Sequence, residues 1–553
     1  MRPNPKPKQA KQSAFQTWRR CRDAVMSLMI RSSGYTVVIS LLLMFVYLGY
    51  QVFPIFKPIQ VTPIETERLS EEHRSSFQWH PVNLDPSALV YRLAENQRSL
   101  LTTTSDGGIQ QWFWLMGDAG TPASFQKVHE FTSHRAPILA LIPESQRRGF
   151  LSLDQQGHLA IHYAPTGETL WSGYLTNEPI KAYSLSSSNQ ILGVRLASGE
   201  TRYWHLLNPH PQISITSLLH KVQYEGRNQA EWVWQSAPSA EYHDGKYSIV
   251  PLSIGTLKAA FFAMLFAMPL AIMGAVYTAY FMPTRLRNWI KPSVELMEAL
   301  PTVVIGFIAG IYLAPLIEAY LVQVLFGLIT LPLYLVLLSW LWSIFPDSTH
   351  YRLKSSLWVL LIPALVAFVW ALPYASSLFE SWVFAQDLRQ WLAHHNIDYA
   401  QRNGLVIGIA MGFAIIPTIF SLAEDALSSV PKHLTEGALA LGATPWQSLQ
   451  GVILPTASAG IFSAIIIGFG RALGETMILL MASGNTPLVN MNLFEGMRSL
   501  SANIAMELPE AQAGSTHYRV LLLSVLILFV FTFVLNTLAA LIRQGLKKRY
   551  QQL

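Results

Sequence analysis

A single cysteine, Cys21, among 553 residues leaves no partner for an internal disulfide, and one thiol says nothing about the redox compartment. Cysteine and histidine nowhere fall at the spacing of a zinc site, so neither a metal nor a cofactor is expected. No G-x-x-x-x-G-K-[ST] phosphate loop occurs, so the chain is expected to hydrolyse no ATP and to be no enzyme of that kind. Charge is also scarce: 13% of residues are charged, against roughly 25% in soluble domains. The scarcity is uneven. Charges are ordinary in residues 54–250 and rare from 251 onward, so the two stretches suit different solvents. The net charge of +6 comes from basic residues beside apolar runs, which points to anionic membrane lipid and not to nucleic acid.

What is abundant is apolar surface, with 51% hydrophobic residues. A membrane-spanning helix needs about 20 mostly apolar residues. The first candidate is 35–53, preceded by Arg2, Lys6, Lys8, Lys11, Arg19, Arg20, Arg22 and Arg31, opposed only by Asp23. A signal peptide is the competing reading. The long basic tail and the lack of a small-residue cleavage site favour an uncleaved anchor. Further spans fall at 252–281, 300–318, 321–345, 356–374, 404–428, 456–482 and 518–542, about eight in all with the anchor. Alternate threading puts Arg285, Arg287, Lys291, Arg352, Lys354, Lys432, Arg543, Lys547, Lys548 and Arg549 on the cytoplasmic side, satisfying the positive-inside rule. Both termini are then cytoplasmic and residues 54–250 are exported.

The exported stretch alternates apolar and polar residues between turn signals, as strands do. Three pieces look alike: 105–112, 154–163 and 197–204 each set a Gly turn between two strands and end on an aromatic. Their spacing of roughly 40–50 residues is the period of propeller blades. About 195 residues hold only some four blades. An all-β, propeller-like domain is therefore expected, with a β-sandwich as the alternative.

Residues 431–455 carry a second pattern. Pro431 can open a short helix, Gly442 can end it in the left-handed region, and Thr444-Pro445 reads as an N-cap and N1 pair. A compact helix–turn–helix between two spans results. The run resembles the EAA loop of ABC-importer permeases: Glu436, Gly437 and Ala438 fill its first positions, Gly442 its glycine, Val452 its isoleucine place, and Leu454-Pro455 its end. Gly437 and Val452 depart from the family pattern. A plain helical hairpin is the alternative. The resemblance implies a coupling helix that docks on a separate ATP-binding subunit, with the attached spans rocking as that subunit closes.

Arg471 and Glu475 stand within the 456–482 span and are read as the only charges near the middle of any span. A bilayer-centre arginine costs at least about 2.5–3.5 kcal/mol, so it should face protein or a water-filled path. Four residues apart, the two can pair on one helical face, leaving a guanidinium suited to an oxyanion. Gly468, Gly470 and Gly474 permit close approach of substrate or a neighbouring helix. The alternative is an ion pair that only locks helices together. Glu295 and Glu298, at the entry to the 300–318 span, are accounted for by a helix N-terminal dipole, with ATPase contact as the minority reading.

The segment from Arg471 to Met477, followed by Ser483-Gly484-Asn485, is similar to the signature of phosphate-specific ABC permeases. So are Glu295 to Gly306, and Gly255-Thr256 with Pro269. The resemblance covers 252–316 and 404–542 and is closer to the C-type subunit than to the A-type. It implies a type I importer permease in the bacterial inner membrane, with residues 54–250 in the periplasm. The implied partners are two copies of an ATP-binding subunit, a sister permease and a periplasmic phosphate-binding protein. Arg471, Gly474, Glu475 and Thr476 would line the substrate path, and Glu436, Gly437, Ala438, Gly442, Leu454 and Pro455 would couple it to the ATPase. The expected organisation is a basic tail (1–34), an anchor (35–53), the β domain (54–250), a first core segment (251–316), an inserted hairpin and outer loop (317–403), a second core segment (404–542) and a basic tail (543–553). The insertion's outer loop carries Trp382, Trp391 and the pair His394-His395, and that pair is read as surface, with metal binding as the alternative. Other oxyanions such as sulfate or molybdate, or a sensor or scaffold that reads a periplasmic ligand, are the competing functions.

Overall fold

The computed structural model describes residues 7–65, 77–82, 90–92, 99–116, 122–145, 147–236, 244–344, 357–384 and 387–550. The cations Arg2, Lys6, Arg352 and Lys354 used in the threading lie outside the described residues. Among those described, eight helices are long and apolar enough to cross a membrane. The chain is a polytopic helical membrane protein with a separate region of β-sheet.

Helix α1 (Pro7–Val52) contains the anchor and ends against the last helix, where Arg519 Nη1 donates to the Gln51 carbonyl at 2.7 Å. Strands β1 (Gln60–Ile64) and β2 (His80–Pro81) follow. Three antiparallel sheets come next: β3 (Val90–Arg92) to β6 (Ser124–Phe131), β7 (Ile138–Pro143) to β10 (Glu168–Tyr174), and β11 (Ile180–Leu185) to β13 (Thr201–Leu207). The third sheet is completed by β1 on one edge and β2 on the other.

The three repeated sequence pieces are the hairpins β4–β5 (Ser99–Thr103 and Ile109–Leu115), β8–β9 (Gly149–Asp154 and His158–Tyr163) and β12–β13 (Ile191–Leu196 and Thr201–Leu207). Each turn places its glycine at positive φ, +88° at Gly107, +75° at Gly157 and +89° at Gly199, where a Cβ would be strained. The sheets are blade-like and stacked. One apolar cluster lies between the first and second sheets and another between the second and third, so the middle sheet is covered on both faces. That is why β8 is buried at every residue and does not alternate. Among the described residues there are, instead of four blades, these three sheets and a two-stranded pair, β14 (Trp234–Gln235) with β15 (Lys246–Tyr247). No closed propeller forms among the described residues.

The short helix α2 (Ile215–Leu219) leads to α3 (Val250–Val276), prolonged by a π turn at Tyr277–Phe281. An amphipathic helix, α4 (Thr284–Glu298), precedes α5 (Thr302–Ile308), which continues through a π turn into α6 (Ala314–Ala319). Helices α7 (Leu321–Ile344) and α8 (Leu357–Val383) pair as a hairpin with little protein around it; Tyr334 Oη donates to the Ala364 carbonyl at 2.9 Å. Helix α9 (Leu388–His394) caps the hairpin, and His395 Nδ1 lies 2.8 Å from the Trp391 carbonyl. Helix α10 (Gly404–Ser428) then runs alongside α3 in the same direction. A Cβ at Gly404 would meet the Phe262 ring and one at Gly412 would meet the Ala263 and Ala267 backbone, so these glycines let α3 approach closely.

After α11 (Lys432–Ala440), α12 (Pro445–Ser448) and a π turn comes α13 (Leu454–Gly474), antiparallel to α10. The expected single span 456–482 is broken: α13 ends at Gly474, Glu475 is extended, and the short helix α14 (Met477–Ala482) follows. Helices α15 (Leu500–Glu507) and α16 (Thr516–Tyr550) complete the chain.

The β region seats on the ends of α1, α3 and α16 through Leu48, Val52, Ile213, Trp234, Tyr247, Leu252 and Leu521. At this seat Glu507 accepts from Trp234 Nε1 (3.1 Å), Ser236 Oγ (2.8 Å) and Arg498 Nη2 (2.7 Å), and pairs with His517 Nε2 at 2.8 Å. Burial alone would raise the Glu507 pKa. The hydrogen bonds from His517, Trp234 and Ser236 and the charge of Arg498 outweigh it and hold the carboxyl below its usual range.

Candidate functional site

Two places on the helical region collect the residues singled out by sequence, at different levels of the bundle. The first is the 431–455 segment, at the end of α10 away from the β region. Pro431 stands at the N-cap of α11, one position before the helix. Gly442 has φ of +89°; its N–H donates to the Leu439 carbonyl at 3.0 Å, and the Ala443 N–H donates to that of Ala438 at 3.1 Å. That is a Schellman stop. Thr444 and Gln447 then form a reciprocal capping box, at 3.2 and 2.9 Å, with Pro445 in the first turn of α12. These adjacent caps, one closing α11 and one opening α12, make the turn between the two helices rigid. Its side chains are open: Leu441 is 91% exposed and Trp446 61%, with Leu434, Glu436 and Leu439 also exposed. Behind it, buried Glu424 of α10 pairs with Arg287 and with Lys291 (2.8 Å) of α4, tying α4 to the same end.

The second place is the C-terminal end of α13. Arg471 Nη1 donates to Glu298 at the end of α4 and to Thr418 in α10, and Thr418 Oγ1 donates to Glu298 Oε1 at 3.0 Å. Thr418 lies 14 residues past Gly404 and 10 before Ser428. At about 1.5 Å per residue that is near the middle of α10. The guanidinium is thus held between three helices at mid-depth.

Arg471 does not take Glu475 as its partner. An i,i+4 pair needs an unbroken helix, and α13 stops one residue before Glu475. The Glu475 carboxylate instead accepts from the Met477 and Ile478 N–H groups at 3.2 and 3.4 Å, capping α14. Thr476 Oγ1 donates to the Gly474 carbonyl at 3.2 Å. Glu298 ends a helix where the dipole account needs it to begin one, so its placement comes from Arg471 and Thr418.

The glycines separate by role. At Gly468 a Cβ would come within 2.4 Å of Ile419, so that glycine lets α13 lie against α10. At Gly474 a Cβ would meet nothing within 4 Å, so its side of the break is open. Gly306 and Gly310 admit the backbone of α14: a Cβ would sit 2.9 Å from the Met477 carbonyl oxygen at Gly306 and 2.5 Å from that of Met481 at Gly310. The run Ser483-Gly484-Asn485 is a turn with Gly484 and Asn485 both at positive φ, +72° and +52°.

Buried charges nearer the span ends escaped the sequence argument: Glu424 of α10, described above, and Lys258 of α3. Lys258 is 1% exposed, lies near the start of α3 and donates to Asn490 Oδ1 at 2.9 Å. A lone lysine in an apolar run was signal enough to find it. Glu298 and Thr418 offered no comparable mark.

Residues 349–552 match the family described as binding-protein-dependent transport system inner membrane component. Curated relatives agree with it. A probable ABC transporter permease protein, YqgH, of Bacillus subtilis is 25% identical over 292 residues, covering 53% of this chain and 70% of its own. The phosphate transport system permease protein PstC of Haemophilus influenzae is 27% identical over 294 residues, 53% of this chain and 75% of its own.

This chain is an ABC transporter permease subunit.

Another relative of the permease, PstC 1 of Mycobacterium tuberculosis, is 26% identical over 297 residues, covering 53% of the permease and 71% of its own length. A solved structure of the inward-facing MetNI methionine ABC transporter covers 54% of the permease and 94% of that chain, with 14% identity and a TM-score of 0.29. That score is too low to establish a shared arrangement. Each alignment takes in about half of the permease, leaving room for a large region outside the part shared with its relatives.

Proposed function

We propose that this permease is the membrane subunit of an ATP-driven importer of inorganic phosphate. The observation that carries the reading is Arg471, a guanidinium at mid-depth whose partners are one carboxylate and one hydroxyl on two other helices. A guanidinium fits an oxyanion by two parallel hydrogen bonds. An arriving phosphate would replace Glu298 as the counter-charge, leaving Arg471 paired throughout while releasing α4 from α13. Gly474 supplies the open side, and Thr476 and Glu475 set the edge of the path. The name PstC borne by relatives from Haemophilus and Mycobacterium supports phosphate over sulfate or molybdate.

In this reading the 431–455 segment is the EAA coupling loop. Its exposed leucines and Trp446 meet an ATP-binding subunit, and its capped turn keeps α11 and α12 together while the movement passes to α10 and α13. Glu436, Gly437, Ala438, Gly442, Leu454 and Pro455 belong to that contact. The loop and both termini are then cytoplasmic, and the β region, seated at the opposite end, is periplasmic. Two ATP-binding subunits, a sister permease and a periplasmic phosphate-binding protein complete the importer.

In cells whose own copy is deleted, wild-type protein should restore uptake of labelled phosphate. Arg471→Ala, present in the membrane at normal amount, should lower that uptake by about 100-fold. Unimpaired phosphate uptake by Arg471→Ala would remove the reading. Competition by excess sulfate or molybdate would move it to another oxyanion.

A further inference from the structure

A histidine and carboxylate cluster at the rim of the middle β-sheet has no part in the transport reading. His134, in the connection from β6 to β7, meets Asp154 at the end of β8 and His158 at the start of β9. His134 Nδ1 lies 3.0 Å from Asp154 Oδ2 and 3.2 Å from His158 Nδ1, and His158 Nδ1 lies 4.0 Å from Asp154 Oδ2. Tetrahedral zinc, with bonds of about 2.0–2.2 Å, needs its donors about 3.3 Å apart. The three separations straddle that value.

The donors are also held from behind. Asp154 Oδ1 accepts from the N–H groups of Gln156 and His158, both at 2.9 Å, which aims Oδ2 at the histidines. His134 Nε2 is 2.5 Å from Ser152 Oγ, Ser152 Oγ is 2.7 Å from His162 Nε2, and His162 Nδ1 is 3.0 Å from Thr169 Oγ1. Both hydroxyls can turn. In one setting His134 donates Nδ1–H to Asp154. In the other, His162 Nδ1–H donates to Thr169, Ser152 donates to His162, and His134 donates Nε2–H to Ser152. The second setting leaves His134 Nδ1 as a lone pair facing the Asp154 carboxylate and His158 Nδ1, to be met either by the Nδ1–H of His158 at 3.2 Å or by a cation that all three donors share. An outer partner that fixes the tautomer of a ligating histidine is a regular part of metal sites. The side chains of His134 and Asp154 are 0% and 3% exposed and that of His158 is 14%, so the open approach is past His158.

We propose that His134, Asp154 and His158 bind one divalent transition-metal ion, with water in the fourth position. Two imidazoles and one carboxylate suit Zn(II) and its neighbours and do not suit Mg(II) or Ca(II), which take oxygen ligands. The ion would clip the β6–β7 connection onto the β8–β9 turn. Spacing along the chain conceals the set, because its first member lies 20 residues from the second.

The test uses the full chain in detergent, purified on a histidine-free tag and stripped with chelator. Titration with Co(II), read by its visible absorption, and displacement by Zn(II) should show one site. Zn(II) should raise the thermal unfolding temperature. His158→Gln leaves the His134–Ser152–His162 chain intact, so its metal-free unfolding should match wild type. Its affinity should drop by at least about 100-fold, beyond what loss of an outer partner costs. Asp154→Asn should weaken binding similarly. Equal binding by wild type and His158→Gln would mean adventitious surface metal and would overturn the proposal. So would no binding by wild type, which would leave only a His134–Asp154 ion pair.

Discussion

The β region and the helical region solve packing with opposite residue types. Between the sheets the buried surface is Leu, Ile, Val and Phe, with Leu151, Leu153, Leu159, Leu192 and Val194 at 0% exposure. Between α3 and α10 small residues make the room: Ala259, Ala260, Ala263, Ala267 and Ala275 are buried on α3, and Gly404 and Gly408 of α10 receive the Phe262 and Phe266 rings. In water, burying large side chains drives association at about 25 cal/mol per Å2. In lipid that drive is absent between helices, and close backbone contact replaces it. Polar groups differ as well. The β region satisfies buried ones in local chains, such as His134–Ser152–His162, where burial with the nearby His134 pushes His162 down to about 3. The helical region places single charges, Lys258 and Arg471, each with partners distant in sequence.

Substitutions can break that contrast. The greatest effect is expected at Gly255 of α3, where a Cβ would sit 2.2 Å from the Arg498 carbonyl oxygen. Gly255→Val should cost more than about 3 kcal/mol and abolish recovery of folded protein by size-exclusion chromatography in detergent. If it is tolerated, small-residue packing is not what seats α3.

Leu151→Ala should destabilise the β region by about 3 kcal/mol through loss of burial and a cavity. Limited proteolysis should then cut residues 54–250 sooner while the helices remain intact. Simultaneous loss of both would show the two regions unfolding as one.

The seat between them should respond to acid. The Glu507 pKa is depressed in the folded state, so its contribution is present above the unfolded value near 4.5 and is lost as pH falls through the lower folded value. The wild-type unfolding temperature should therefore decline below about pH 4.5. Glu507→Gln should start lower at neutral pH and vary less across that window. Equal pH profiles would place the seat's stability in its apolar cluster alone.

The mildest change is Gly437→Ala in α11. Nothing lies within 4 Å of a Cβ there, and exposed helical Gly to Ala gains up to about 1 kcal/mol. Unfolding temperature should hold or rise slightly. A fall would mean that Gly437 packs against something not yet accounted for.

Span positions, turn glycines and caps were legible because each rests on neighbours a few residues apart. The 250–281 and 404–428 helices follow from apolar run length. Gly442, Thr444 and Pro445 follow from cap chemistry, and the three hairpins follow from Gly turns between alternating strands. The broken span was harder to read. Gly474, Glu475 and Thr476 interrupt the apolar run only briefly before it resumes at Met477, and the extended backbone at Glu475 reveals the stop.

Local chemistry in the sequence therefore determined that this chain crosses a membrane repeatedly, carries a β region of repeated hairpins, and bears an arginine where apolar residues belong. Tertiary structure alone decided what that arginine holds, since Glu298 and Thr418 stand 173 and 53 residues away from it. It likewise brought His134 to Asp154 and stacked three sheets where four blades were expected. The reason is one of range. Caps, turns and span length are set by bonds within a turn or two, whereas the partner of a buried charge is chosen by how whole helices and sheets come together.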